Sequence, residues 1–160
     1  MKKLSVLYVI TKLELGGAQK VCLSLFEGLK KEGHNVFLFS GATGKLTEKV
    51  KQKDNVFLSK YLRREVSPLF FISEIKNFFT LFNYIKKLKK QYPNLIVHTH
   101  STKAGLLGRW AAWFASITTK IHTIHGYGFH PYQNKFAWYA TFLCEWLTNI
   151  ITNRFVCVSE

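Results

Sequence analysis

Short apolar runs alternate with longer amphipathic stretches along almost the whole chain. The runs are rich in β-branched and aromatic residues and have the length of buried strands, whereas the stretches repeat their apolar residues every three to four positions, as helices do. Strands are predicted at residues 6–10, 35–40, 55–58, 95–98, 120–125 and 154–158. Helices are predicted after Gly17 and after Pro68, and at residues 46–52, 103–116 and 134–152.

This alternation of strands and helices predicts right-handed βαβ units. The expected fold is therefore α/β, a Rossmann-like open parallel sheet with helices on both faces. The chain has 160 residues, of which 48% are hydrophobic, so residues 1–160 are expected to form a single domain with one core. Its longest apolar stretches are interrupted by Arg109 and Glu145 and fall short of the about 18–20 residues of a membrane-spanning helix.

The charge is strongly unbalanced, with 23 Lys and Arg against 9 Asp and Glu and a formal net charge of +14. Such an excess favours an anionic partner, which could be nucleic acid, a membrane surface or a phosphorylated small molecule. An excess that serves only solubility stays open as the alternative. Since the basic residues are spread along the chain and no nucleic-acid motif occurs, nucleic acid is not the predicted partner.

Cys22, Cys144 and Cys157 lie in apolar runs without the C-x-x-C spacing of redox or metal sites. They are predicted to be buried free thiols, which indicates a reducing compartment such as the cytoplasm.

The first predicted strand leads through Gly16 and Gly17 into an amphipathic helix. Unpaired backbone N–H groups and the positive end of a helix meet at such a junction and suit a phosphate or carboxylate. Glycine lets the backbone approach an oxyanion closely because it has no Cβ. The full G-x-G-x-x-G pattern is absent, so a tight turn without a ligand is an equal alternative.

Two further loops are expected beside this junction, because ligands of open parallel sheets bind beyond the carboxyl ends of the strands. They contain residues 98–103 and 125–128. His98 and His100 would point to the same side of a strand and could ligate a metal, but no nearby Asp, Glu or Cys completes a set, so hydrogen bonding is favoured and no metal is predicted. His125, just before Gly126, is predicted at the lip of the cleft.

Together these motifs resemble the N-terminal domain of family 4 glycosyltransferases. The resemblance rests on Gly-Gly-Ala-Gln at 16–19, His-Thr-His-Ser-x-x-Ala-Gly-Leu-Leu-Gly-Arg at 98–109, Thr-Ile-His-Gly at 123–126 and the closing residues 156–160. It covers essentially the whole chain and implies one half of a two-domain, retaining GT-B enzyme of the hexosyltransferase type. In that family the N-terminal domain mainly holds the acceptor, and the C-terminal domain binds the sugar nucleotide.

The resemblance also implies roles for individual residues. Gly16 and Gly17 would face the donor diphosphate, and His125, the predicted catalytic residue, would lie near the transferred sugar. His100, Ser101 and Gly126 are predicted to bind substrate as members of the same loops. Lys103 and Arg109 belong to the motif region but are not assigned to substrate. A nucleotide sugar is implied as the donor substrate, and no cofactor is predicted.

The donor-binding domain of the family is absent from these 160 residues, so we expect this chain alone to be an incomplete and inactive half. Tyr127, Phe129 and Tyr132 are expected to form an exposed apolar patch that favours self-association or pairing with a separately encoded C-terminal half. The expected acceptor is a lipid-linked or surface glycan. Basic aromatic segments at 60–64 and 84–92 would contact anionic lipid, placing a cytoplasmic protein at the inner face of the cell membrane.

Two other classes stay open from the residues alone. A non-catalytic Rossmann-like module that binds a nucleotide or nucleic acid is compatible with the charge. A flavodoxin-like or response-regulator-like domain fits the element order, although no acidic pocket follows the first strand.

Overall fold

The computed structural model describes residues 3–63, 71–126 and 134–158. The strands are β1 (Ser5–Ile10), β2 (Asn35–Gly41), β3 (Val56–Ser59), β4 (Ile96–His100), β5 (Thr119–Ile124) and β6 (Arg154–Cys157). The helices are α1 (Gly17–Lys31), α2 (Phe71–Gln91), α3 (Thr102–Phe114) and α4 (Lys135–Ile150). These strands form one parallel sheet in the order β3-β2-β1-β4-β5-β6, which confirms the predicted Rossmann-like fold.

Strand β1 lies at the centre and is buried along its whole length. Its residues alternate between two hydrophobic clusters, one on each face of the sheet. On one face Tyr8 packs with Cys22 and Phe26 of α1. On the other, Val9 packs with residues of α2 and α3. Because both faces are covered, β1 reads as a continuous apolar run, as expected for the interior of a parallel sheet.

Helix α3 lies close to the sheet because it contacts it through two glycines. A Cβ on Gly105 would collide with the ring of His122, and one on Gly108 would collide with the methyl group of Thr99. The Ala-Gly-Leu-Leu-Gly segment therefore has a packing role, and it brings the N-terminus of α3 against the end of β4.

Several predicted boundaries change. Strand β4 continues to His100, two residues beyond the prediction, because it pairs with β1 and β5 to that point. Residues 46–52 contain only a short 3₁₀ turn, Thr47–Lys49. In α1 the buried stripe is narrow: Cys22 and Phe26 are buried, while Val21 and Leu25 are exposed.

Some predictions lie outside the described residues: the helix start at Ser67 and Pro68, Arg64, and the apolar patch of Tyr127, Phe129 and Tyr132. Within the described ranges, no helix has the length and apolar character needed to cross a bilayer.

The prediction of three buried thiols is wrong for two of them. Cys22 is buried between α1 and the sheet, and burial raises the pKa of its thiol. Cys144 and Cys157 are exposed, because they lie on α4 and on the edge strand β6. Their apolar sequence neighbours are also largely exposed, which is why the hydrophobic pattern misplaced them.

Candidate active site

The loop after β1 and the start of α3 are joined by hydrogen bonds at the carboxyl edge of the sheet. The hydroxyls of Thr11 and Ser101 lie 2.7 Å apart, and the Thr11 N–H donates to Ser101 Oγ at 3.4 Å. Thr11 Oγ1 also accepts from the N–H of Ala104 at 3.2 Å. Thr11 thus caps α3 from the loop after β1, because the side chain of the N-cap residue Ser101 makes no capping bond itself.

Ser101 has an unusual backbone, with φ 66° and ψ 150°, a region that is almost restricted to glycine. The bonds to Thr11 and the acceptance of the Gly105 N–H by the Ser101 carbonyl at 2.7 Å hold it there. The Ser101 hydroxyl is therefore already used within the protein. Any contact with substrate would be additional to this bond, and the predicted binding role stays a prediction.

A second link joins the ends of β4 and β5: His100 Nδ1 lies 2.9 Å from His125 Nε2. The His100 ring stacks on that of His98, with ring centroids 4.5 Å apart, and Tyr8 packs beside both. His98 Nε2 in turn lies 2.7 Å from Thr123 Oγ1. Strand register explains the cluster. Tyr8 pairs with His98, His100 pairs with Thr123, and alternate residues of a strand share one face of the sheet.

The histidines of the strands are held neutral by their surroundings. Burial, reinforced by the neighbouring imidazoles, lowers the pKa of His98 to about 4 and that of His100 to about 2. Burial, followed by the charge of Arg109, lowers the pKa of His122 to about 3. Burial also lowers the pKa of His125. At neutral pH these rings therefore act through hydrogen bonds rather than through charge.

His100 is fully buried, so its side chain is not placed where a substrate could contact it. His125 is partly exposed and directly follows β5, and its predicted place at the lip of the cleft stays a prediction. Among the described residues, His, Cys, Asp and Glu side chains form no group of three that could hold a metal ion. The expectation that no metal is needed stays a prediction.

Helix α1 begins at an open end beside these loops. Gly16 is extended, no side chain caps the helix, and its first turn contains no acidic residue. A Cβ on Gly16 would meet the Gln19 side chain, whereas a Cβ on Gly17 would meet nothing within 4 Å. Gly17 also lacks a positive φ. Neither local packing nor backbone conformation therefore explains why residue 17 is a glycine. The space beside it is open to a ligand.

A cleft of about 240 Å³ lies at the same edge, between β5, β6 and the helices α3 and α4. Gly126, one of the predicted binding residues, lines it, but Gly16, Gly17 and His125 do not. Thr102 lies in one of the predicted loops. The polar residues of α4 were not predicted from the sequence, because they lie within an apolar run that looks like core. The lining comprises Thr102, His122, Ile124, Gly126, Glu145, Asn149 and Phe155.

Arg109 is fully buried and has a structural environment. Its guanidinium donates to Glu145 Oε2 at 2.6 Å, to Thr152 Oγ1 at 3.2 Å and to the Gly105 carbonyl at 2.9 Å. Burial lowers its pKa, and Glu145 opposes that effect. Arg109 thus ties α3 to α4, while Lys103 ties α3 to Glu74 of α2 at 2.5 Å.

The sequence comparison agrees with this geometry. The profile of Glycosyltransferase Family 4 matches residues 15–160. The chain belongs to glycosyltransferase family 4. This family 4 chain is 30% identical, over 99% of its length, to the Escherichia coli UDP-Gal:alpha-D-GlcNAc-diphosphoundecaprenol alpha-1,3-galactosyltransferase, of which it covers 41%.

Solved structures share the fold of this family 4 chain. Acinetobacter baumannii MurG matches 98% of it with a TM-score of 0.65 and 15% identity, and a glycosyltransferase from Rickettsia africae ESF-5 matches 99% with a TM-score of 0.59 and 20% identity. The chain covers 42% and 38% of those two proteins. It therefore spans about two fifths of the length of the relatives it matches, and its sheet has the Rossmann-like architecture of a GT-B half.

Proposed function

We propose that this family 4 chain is the acceptor-side half of a glycosyltransferase that moves a sugar from a nucleotide sugar to a lipid-linked or surface-glycan acceptor. The observation that carries the proposal is the pair of hydrogen-bonded links, Thr11–Ser101 and His100–His125, which join three loops into one edge beside the open end of α1. The name of the Escherichia coli relative, which contains a UDP sugar and a diphosphoundecaprenol acceptor, supports this choice of substrates.

In the proposed reaction, an acceptor hydroxyl oxygen bonds to the anomeric carbon of the sugar while the bond from that carbon to the diphosphate oxygen breaks. The electron pair leaves with the nucleoside diphosphate, and the hydroxyl proton passes to the departing phosphate. The uncapped end of α1 at Gly16 and Gly17 would meet the diphosphate charge. His125 would hydrogen-bond the transferred sugar.

The cleft beside Gly126 suits the sugar end of the acceptor. Its lining offers an imidazole, a hydroxyl, a carboxylate and an amide beside the ring of Phe155. Such a mixture of polar groups and one aromatic face matches the hydroxyls and the apolar face of a sugar ring. The charge of Glu145 is balanced by the buried Arg109, so the cleft favours a neutral ligand.

The role of Gly17 can be tested by adding a side chain at the open end of α1. Gly17→Val should keep the fold, because no atom lies within 4 Å of its Cβ position. In an enzyme assembled from this chain and a family 4 donor-binding half, the variant should lose transfer by about 100-fold or more, since displaced reactants are strongly penalised. A radiolabelled-sugar assay measures the rate, and circular dichroism measures the fold.

Gly28→Val is the matched control. Gly28 lies in the same helix, and its Cβ position is equally open, but it is well away from the helix N-terminus. We expect full transfer from Gly28→Val. Equal rates for folded Gly17→Val and wild type would leave Gly17 as a turn residue only.

A basic and aromatic surface on α2 and α3 is the proposed membrane contact. A groove of about 420 Å³ is lined there by Lys86, Lys90 and Phe114, among others. Trp113 and Phe114 are about half exposed, at 47% and 56%. Aromatic rings beside lysines are typical of contacts with the interface of anionic membranes. Lys89 serves a different purpose, since its Nζ donates to the carbonyls of Ala115 and Ser116 at 3.0 and 2.9 Å and so caps α3.

Charge reversal tests this surface. Lys86→Glu, Lys87→Glu and Lys90→Glu together should weaken binding to vesicles that contain anionic lipid by more than about 100-fold, at about 1 kcal/mol for each lost charge. Vesicle co-sedimentation is the measurement. The control reverses Lys30, Lys31 and Lys51, which are exposed elsewhere on the chain. Equal weakening by both sets would show that net charge alone is responsible.

A further inference from the structure

His100 and His125 share one hydrogen bond between two neutral rings. Each ring then carries a single proton, on one of its two nitrogens. Of the facing atoms, His100 Nδ1 and His125 Nε2 at 2.9 Å, one must therefore donate and the other accept. The direction of this bond fixes the tautomers of both residues.

The far nitrogen of His100 indicates the direction. Nε2 of His100 is buried and has no hydrogen-bond partner in the part of the chain that the structure describes. If His125 donated, the proton of His100 would lie on this nitrogen as a buried, unpaired N–H. If His100 donates, the same nitrogen keeps only a lone pair. Among backbone groups, an orphaned buried N–H is rarer than an under-satisfied acceptor. The same preference, applied to the imidazole, favours donation by His100.

The surroundings make His100 the fixed partner of the pair. Its ring is fully buried, stacked on His98 and packed beside Tyr8. His125 is partly exposed and is followed by Gly126, whose φ of +149° is in a region that favours glycine. Nδ1 of His125 makes no hydrogen bond within the described residues. The orientation of the exposed ring therefore depends on the buried one.

We propose that His100 is the positioning residue of His125: it donates from Nδ1 to His125 Nε2 and so holds the proton of His125 on the outward Nδ1. His125 then presents a neutral N–H donor, suited to a hydroxyl or phosphate oxygen of a sugar substrate, and it is not a general base. The importance of this tautomer for transfer rests on the function proposed above for His125.

The tautomers can be read directly by long-range ¹H–¹⁵N correlation NMR on the histidine-labelled 160-residue chain at neutral pH. Loss of a signal in His100→Asn or His125→Asn assigns each ring. We expect one tautomer for each residue, with Nδ1 protonated and Nε2 unprotonated in both. A protonated Nε2 on His125, or a mixture of its tautomers, would overturn the proposal. This result does not depend on any measurement of transfer.

Two substitutions then test the dependence of His125 on His100. In His100→Phe the ring is kept but the donor is lost, so His125 should populate both tautomers. In His100→Asn an amide N–H near the Nδ1 position should restore the Nδ1 tautomer. An unchanged His125 tautomer in folded His100→Phe would contradict the positioning role.

Transfer in the assembled enzyme gives an independent readout. We expect His100→Phe to lower kcat by about 10- to 100-fold with little change in KM, as for lost outer-shell hydrogen bonds, and His100→Asn to recover most of it. A wild-type tautomer as predicted, with no loss of transfer in His125→Ala, would contradict the proposed function of His125 and leave the pairing itself intact. A different His125 tautomer in the wild-type chain, together with loss of transfer in His125→Ala, would contradict the proposed pairing and leave the proposed function of His125 intact.

Discussion

Acidification to pH 5 should remove a large part of the stability of this chain, because three buried histidines must take up protons on unfolding. In the fold the pKa of His98 is lowered to about 4, that of His100 to about 2 and that of His122 to about 3, while the unfolded value is about 6.5. Below that value the unfolded state binds more protons, so stability falls as the pH falls and is constant above about pH 7.

At pH 5 each of these histidines would contribute about 2 kcal/mol to the loss, or about 6 kcal/mol together. The total free energy of unfolding of a natural protein domain is about 5–15 kcal/mol. Urea unfolding between pH 7.5 and 5 measures the effect. The slope of the free energy of unfolding against pH should correspond to nearly three protons taken up on unfolding near pH 5. His98→Gln, whose amide can reach the Nε2 position and so keep a hydrogen-bonding group for Thr123, should reduce that uptake by about one proton. A free energy of unfolding that stays constant down to pH 5 would show that the rings are not held neutral by the fold.

Glu145→Gln should destabilise the fold by about 3–5 kcal/mol, because it leaves the guanidinium of Arg109 buried without its counter-charge. Arg109 has an exposed fraction of 0%, and its other partners, Gly105 and Thr152, are neutral. Replacing both charged residues together, as Arg109→Met with Glu145→Leu, should cost much less than the single change, since apolar packing of similar volume can replace a buried ion pair.

Thermal or urea unfolding of Arg109→Met, of Glu145→Leu and of the double variant forms a double-mutant cycle that measures this coupling. The matched control is Glu48→Gln, which breaks the exposed pair with Lys51 and should change stability by less than about 1 kcal/mol. A Glu145→Gln variant as stable as the Glu48→Gln variant would mean that Arg109 is not dependent on Glu145.

The strands and helices could be predicted because their patterns are local. The apolar run of β1, the glycines at the start of α1 and the spacing of apolar residues in α2 each indicate an element without reference to distant residues. His100 shows where this fails: Thr99 and His100 look like the start of a loop, and only pairing with β1 on one side and β5 on the other makes them part of a strand.

The links of the candidate site were not predictable for the same reason. No local sequence pattern indicated a role for Thr11, because that role depends on Ser101 and Ala104, some ninety positions away. The buried position of His100 and its bond to His125 likewise follow from sheet register. By contrast, the position of His125 at the end of β5 came from local sequence, and the residue does follow that strand directly.

Transfer of a radiolabelled sugar most directly tests whether this family 4 chain is the acceptor-side half of a glycosyltransferase. Three samples are assayed: the purified chain alone, a family 4 donor-binding half alone, and the two together. Each is given a panel of nucleotide sugars and lipid-linked acceptors. Because the chain spans about two fifths of its relatives, and because transfer needs both substrates held in attack geometry, we expect product only when both halves are present. Turnover by the isolated chain, or equal turnover by the donor-binding half without it, would contradict this proposal.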